Sequence, residues 1–137
     1  MKKIRNLKIK TLSSKNGKLI PLSFNKQFPI KVKRIFFIYG KKNKVRGNHA
    51  HKKCSQFFIP IVGKFVLYIK TPNMSKKILL SHRSKISTLI PPKYWCSIKF
   101  LNNNSIMMVA CDQYYNSNDY IRNFEQYKKH LRKKWKF

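Results

Sequence analysis

In the stretch "RGNHAHKKCSQ", residues 46–56, His49 and His51 stand one residue apart in a segment that soon turns strongly apolar. Residues i and i+2 of a strand point to the same face, so the two imidazoles would project side by side into one space. Such a pair can chelate a metal ion or move protons at a reacting group. Two solvated loop histidines beside lysines would show the same spacing. On chemistry alone, Cys96 could complete a zinc site with His49 and His51. Gln56, the next polar residue along, offers an amide, a much poorer ligand than a carboxylate. Nothing nearby supplies negative charge, so neither metal nor cofactor is expected.

The charge balance narrows the chemistry. The chain has 32 basic residues against three carboxylates, Asp112, Asp119 and Glu125, and residues 1–111 contain no acid. Paired-carboxylate catalysis and oxygen-rich cation sites therefore cannot be built in most of the chain. Proton transfer falls to histidine, tyrosine, lysine or cysteine. A net charge of +29 suits nucleic acid, an anionic membrane surface or a phosphorylated small molecule. The charge is mostly lysine and is spread along the whole sequence, without one basic block interleaved with aromatics, so surface solvation explains most of it. A basic nucleic-acid-binding β-barrel remains the alternative from another functional class. Three cysteines without a C-x-x-C spacing imply neither a disulfide framework nor a zinc finger. The opening MKKIRNLKIK lacks the apolar run of a signal peptide or membrane span, which points to the cytoplasm.

These residues need elements to hold them. With 137 residues, 42% of them hydrophobic, the chain can bury one real core, so a single domain over 1–137 is expected. "KLIPLSF", "VKRIFFIYG", "CSQFFIPIVG", "KFVLYIK", "KKILLSH", "ISTLIPP", "WCSIKFL" and "SIMMVAC" read as short strands at roughly ten-residue spacing, the pattern of an all-β antiparallel sandwich or barrel. Gly40 and Gly47 bracket a polar loop, Gly63-Lys64 reads as a tight hairpin, and Pro60 suggests an edge or bulge. From Asp119, a plausible N-cap, Ile121, Phe124, Tyr127, Leu131 and Trp135 recur at helical spacing, which predicts a C-terminal helix over about 119–135.

The glycine, His-x-His and following glycine at Gly47, His49, His51 and Gly63 resemble the first motif of the cupins, with Gln56 at the acidic ligand's position. "IPPKYWC" is similar to the second motif, with Lys93 at the usual glycine and Cys96 at the third histidine. More closely, "KRIFFIYG", "VRGNHAHKKCSQ", "IPPKYW" and "DQYYNSNDYIRNFEQY", in this order, resemble the nucleotide-sugar 3,4-ketoisomerases, metal-independent cupins acting on dTDP-4-keto-6-deoxyglucose. The resemblance spans about Gly17 to Tyr127 and departs at "SKNG" and Cys96.

It implies a jelly-roll cupin, a homodimer, and an isomerase moving the keto group from C4 to C3 for 3-amino-3,6-dideoxyhexose and surface polysaccharide (lipopolysaccharide O-antigen) synthesis. It assigns His49 as base at carbon and His51 as the proton shuttle between the sugar oxygens. A 3,5-epimerase or a silent sugar-nucleotide-binding cupin is the alternative within the fold. Two imidazoles can carry such an isomerisation without metal or carboxylate. A nucleotide diphosphate is best held by arginine and lysine, which makes Arg34, Arg46 and Lys52 candidates beside Gln56. Tyr39 and Trp95 could pack against base or sugar. Tyr114 and Tyr115 would wall the barrel mouth, while Asp119 is assigned to the helix cap.

Overall fold

In the computed structural model, which describes residues 1–133, strands form wherever the chain alternates apolar and polar residues between turn formers. The first sheet has the order β1 (Arg5–Lys8), β9 (Ile86–Ile90), β6 (Gln56–Val62), β11 (Ser105–Cys111), β4 (Arg34–Gly40). The second runs β12 (Tyr120–Ile121), β5 (Val45–His51), β10 (Trp95–Phe100), β7 (Lys64–Thr71), β8 (Met74–Ser81). A separate hairpin pairs β2 (Leu12–Ser14) with β3 (Gly17–Leu19). All pairings in both sheets are antiparallel. This is the antiparallel β-sandwich expected from the sequence, with one short helix, α1 (Phe124–Lys133), after it.

Apolar side chains stack in three layers. Between the sheets, Phe58, Met107 and Val109 of the first meet Phe65, Leu67, Ile69, Leu80 and Ile98 of the second. Outside the first sheet, Phe57, Ile59 and Met108 are covered by Leu22, Phe28, Ile30 and Val32 of the N-terminal segment. Outside the second, Ala50, Trp95 and Ile121 lie under Phe124, Tyr127 and Leu131 of α1. Burying large side chains of this kind stabilises each layer by about 1.5–3 kcal/mol per residue.

Several local expectations need correction. "KLIPLSF" contributes only the end of β3, and residues 20–24 leave the ladder around Pro21. Gly63, at φ +97°, is no hairpin: β6 and β7 belong to different sheets, and the glycine is the corner at which the chain crosses between them. A Cβ there would come within 2.8 Å of Ser105 Cβ, so side chains are excluded. Pro60 does sit by a bulge, since Met107 pairs with Pro60 and Ile106 with Val62. Its missing N–H costs nothing because β9 pairs only with Gln56–Phe58. The helix begins at Phe124, with Asn123 accepting from the Gln126 N–H through its side chain (3.0 Å) and from the Tyr127 N–H through its carbonyl (2.9 Å). Residues 117–119 form a 3-10 turn and Tyr120–Ile121 a strand, so Asp119 caps nothing in α1. Trp135, the expected end of the helix, lies outside the described residues.

Candidate active site

Strand β5 sets the site through one irregularity. Opposite it, Cys96 pairs with His49, Ser97 with Gly47 and Ile98 with Arg46, leaving Asn48 as an unpaired extra residue. Gly47 at φ +96° and Asn48 at φ +61° take the left-handed conformations that such a bulge requires. A Cβ on Gly47 would lie 3.0 Å from Cys96 O and 3.2 Å from Ser97 Cα, so glycine is needed for space as well as for its φ. Gly47 is therefore within β5 rather than at a loop boundary. Cys96 and Ile98 share the interior face, and their partners His49 and Arg46 share it too, although they stand three positions apart in sequence. His51 follows two residues on, on the same face.

The interior face opens into a cavity of about 520 Å³, within the usual range for small-ligand sites. His49, Arg46, Gln56, Cys96 and Tyr39 line it, together with Phe36, Ile38 and Phe58 from the first sheet and Tyr120 and Arg122 from the C-terminal segment. The wall holds two arginines and no carboxylate, which favours an anionic ligand.

His51 lies deeper, 5% exposed. Its ring stands 5.0 Å from that of His49 at 87°, and Tyr120 packs on both, 4.4 Å from His51 and 5.0 Å from His49. The Arg122 guanidinium covers the Tyr120 ring at 4.5 Å. The Asp119 carboxylate meets His51 Nδ1 at 2.9 Å and also accepts the backbone N–H groups of Lys53 (2.7 Å) and Cys54 (3.3 Å). An ionised carboxylate only accepts, so the contact suits a His51 ring that carries its proton on Nδ1. Burial above all pulls His49 down to about 4, with the Arg122 guanidinium, and His51 whenever it is protonated, opposing a charge on the ring. His51 is also lowered, by burial above all, against an opposing pull from Asp119. Both rings are thus neutral at physiological pH and able to accept a proton.

A metal fits poorly here. His51, Cys54 and Asp119 bring their ligand atoms within 4.8 Å of one another, but both Asp119 oxygens already accept hydrogen bonds. Cys54 is held as a thiol by its hydrogen bond to Cys111 and by burial. Burial pushes Cys96 up to about 12, so it too stays protonated beside His49. Thiolate is the form that binds zinc.

The other expected residues divide. Arg46, Tyr39 and Gln56 line the cavity with His49. Arg34 sits just behind it, its Nη2 donating to Cys111 Sγ at 3.6 Å and its guanidinium 5.4 Å from the rings of Phe36 and Tyr115. Lys52 is exposed on the turn after β5 and contributes only its backbone N–H, to Asp119 O. Trp95 does not reach the cavity: it pairs with Ala50, so it faces α1, where it packs on Phe124 and Tyr127 at 7% exposure. Tyr114 and Tyr115 are exposed and line no part of the cavity. Tyr120, Arg122 and the Asp119 contact were missed. The polar-apolar alternation of Tyr120-Ile121-Arg122, a strand signal, could have revealed them.

Similarity to known proteins extends over nearly the whole chain. The family model for FdtA, described as WxcM-like, C-terminal, matches residues 2–132. A TDP-4-oxo-6-deoxy-alpha-D-glucose-3,4-oxoisomerase of Aneurinibacillus thermoaerophilus is 28% identical over 128 residues, covering 93% of this chain and 91% of that protein. Among solved structures, QdtA, a sugar 3,4-ketoisomerase from Thermoanaerobacterium thermosaccharolyticum in complex with TDP, superposes with a TM-score of 0.87 at 28% identity over 97% of each chain. The TDP-quinovose 3,4-ketoisomerase WlaRB of Campylobacter jejuni gives 0.83 at 27% identity, covering 94% of this chain and 99% of that one. With the family model spanning nearly the whole sequence and the cavity, bulge and paired histidines in one sandwich, the chain belongs to the FdtA family of WxcM-like C-terminal domains.

Proposed function

We propose that the protein is a TDP-sugar 3,4-ketoisomerase that converts TDP-4-keto-6-deoxyglucose to a 3-keto-6-deoxyhexose. The observation that carries this reading is a neutral His49 on the wall of an arginine-bearing cavity, in ring contact with a second, anchored histidine. His49 removes the C3 proton, acidified by the neighbouring C4 carbonyl. The resulting enediol passes its O3 proton to O4 by way of His51, and a proton returns to carbon at C4. The C3 alcohol has become a ketone and the C4 ketone an alcohol, with no net redox change and no co-reactant. Arg46 and Arg122 supply positive charge for the diphosphate, and Tyr39 and Gln56 contact the nucleotide or sugar.

The product feeds amination to a 3-amino-3,6-dideoxyhexose for surface polysaccharide, in the cytoplasm. A homodimer is supported by the exposed Ile35 and Phe37 on β4, an edge strand unpaired on its outer side among the described residues. The test is incubation with TDP-4-keto-6-deoxyglucose in deuterated water followed by proton NMR. The expected result is a 3-keto product with deuterium at the exchanged carbon. Recovery of unlabelled substrate, or label at C5 instead, would overturn the reading.

A further inference from the structure

The protein carries three carboxylates among 32 basic residues, and their placement is uneven. Glu125 is exposed and pairs with Lys128 at 2.7 Å. Asp112 accepts the Ser55 N–H at 2.7 Å. Asp119, almost as buried as His51, is paired to no lysine or arginine among the described residues, and its carboxylate goes to His51 Nδ1. The carboxylate is held there from two sides. Its strand neighbour Tyr120 pairs with His51 across the β5–β12 ladder, and the N–H groups of Lys53 and Cys54 fix its two oxygens. The opposite ring nitrogen, His51 Nε2, is buried with no hydrogen-bond partner among the described residues. An unsatisfied buried nitrogen costs stability and is retained where it serves another purpose.

We propose that Asp119 is a positioning residue that fixes the proton of His51 on Nδ1, leaving Nε2 as the bare proton acceptor of the site. Asp119 does not line the cavity and acts only through His51, which lies behind the lining residues His49 and Tyr120. The inference rests on the ketoisomerase reading for its kinetic consequence, but the ring tautomer can be observed without substrate. His51 is also faced by Arg34 from β4, by Arg122 and Tyr120 from the C-terminal segment, and by His49 from its own strand. The two arginines oppose protonation, and Asp119 is the group that favours it.

The experiment compares wild type with Asp119→Ala, Asp119→Asn and, as a control, Asp112→Asn, which alters a carboxylate bound to the same connecting segment but not to a histidine. In ligand-free protein, nitrogen-15 NMR of the His51 ring should show the Nδ1–H form in wild type and in Asp112→Asn, and a mixture of tautomers in Asp119→Ala. Turnover should fall roughly a hundredfold in Asp119→Ala and about tenfold in Asp119→Asn, which keeps an acceptor oxygen but no charge, with KM unchanged. The acid limb of the pH profile should move to lower pH in both, because the group that raises His51 is gone. If Asp119→Ala does not fold, Asp119→Asn decides.

Ring spectra and acid limb unmoved by the Asp119 substitutions would overturn the inference, even in an active isomerase. So would Asp112→Asn producing the same ring change, since that would reduce both carboxylates to braces for the turn. A wild type without isomerase activity but with an Asp119-dependent tautomer would instead sink the functional reading and leave the positioning role standing.

Discussion

Ala50 and Trp95 on one side of the β5–β10 pair, and His49 and Cys96 on the other, are neighbours along the same two strands. The α1 side is closed. Tyr127 is fully buried there, its hydroxyl reaching the carbonyls of Lys93 (2.8 Å) and Lys70 (3.3 Å), and Trp95 and Phe124 stack around it. The cavity side keeps an open volume, two lowered imidazoles and an unsatisfied Nε2. One face carries packing and the other carries chemistry, so stability and activity should separate by face when residues are changed.

Tyr127→Ala should give the largest effect, about 3–5 kcal/mol of lost stability from a cavity beneath α1. Denaturant unfolding checks it, and a loss near zero would show that the helix is not the clamp described here. On the opposite face, His49→Asn should lower turnover by roughly a hundredfold or more while TDP still binds, and should leave the unfolding midpoint at neutral pH nearly unchanged. A stability loss comparable to that of Tyr127→Ala would erase the contrast between the faces.

The pH dependence sharpens it further. His49 titrates at about 4 when folded against an ordinary 6.5 when unfolded, so the unfolded chain binds more protons between those values. Stability is therefore complete above about pH 6.5 and is lost as the pH falls toward 4. Thermal melts across that window should show a shallower slope in His49→Asn than in wild type. The smallest effect belongs to the surface of α1: Glu125→Gln breaks an exposed pair and should change stability by less than about 0.5 kcal/mol.

Much of this was legible in the sequence, for reasons that differ by region. The strands of the sandwich and the shared face of His49 and His51 follow from alternation, a local property. The absence of acid before Asp112 excluded carboxylate chemistry from nearly the whole chain. Trp95 was misplaced because a strand residue's face depends on register, and "PPKYWC" does not state whether Trp95 or Cys96 turns inward. Asp119 was misplaced because a residue ahead of a helical repeat reads as a cap, while its true partner lies 68 positions away in sequence. Arg122 and Tyr120 were overlooked for the same reason: β12 is two residues long and exists only because β5 offers it an edge.

The bulge at Gly47–Asn48 moves the ruler of the site out of the strand that bears its functional groups. Arg46 and His49 are separated by the two-residue step from Ile98 to Cys96 on β10, whatever number of residues β5 spends between them. Removing Asn48 would leave both residues opposite the same partners and on the same face, changing only the local twist and aim. Removing one residue between Cys96 and Ile98 would instead put the imidazole and the guanidinium out of phase with each other. The strand with the conspicuous motif can therefore vary in length at this point, and β10 cannot. Relatives of this protein should be aligned on the spacing of β10 before the histidine string is compared.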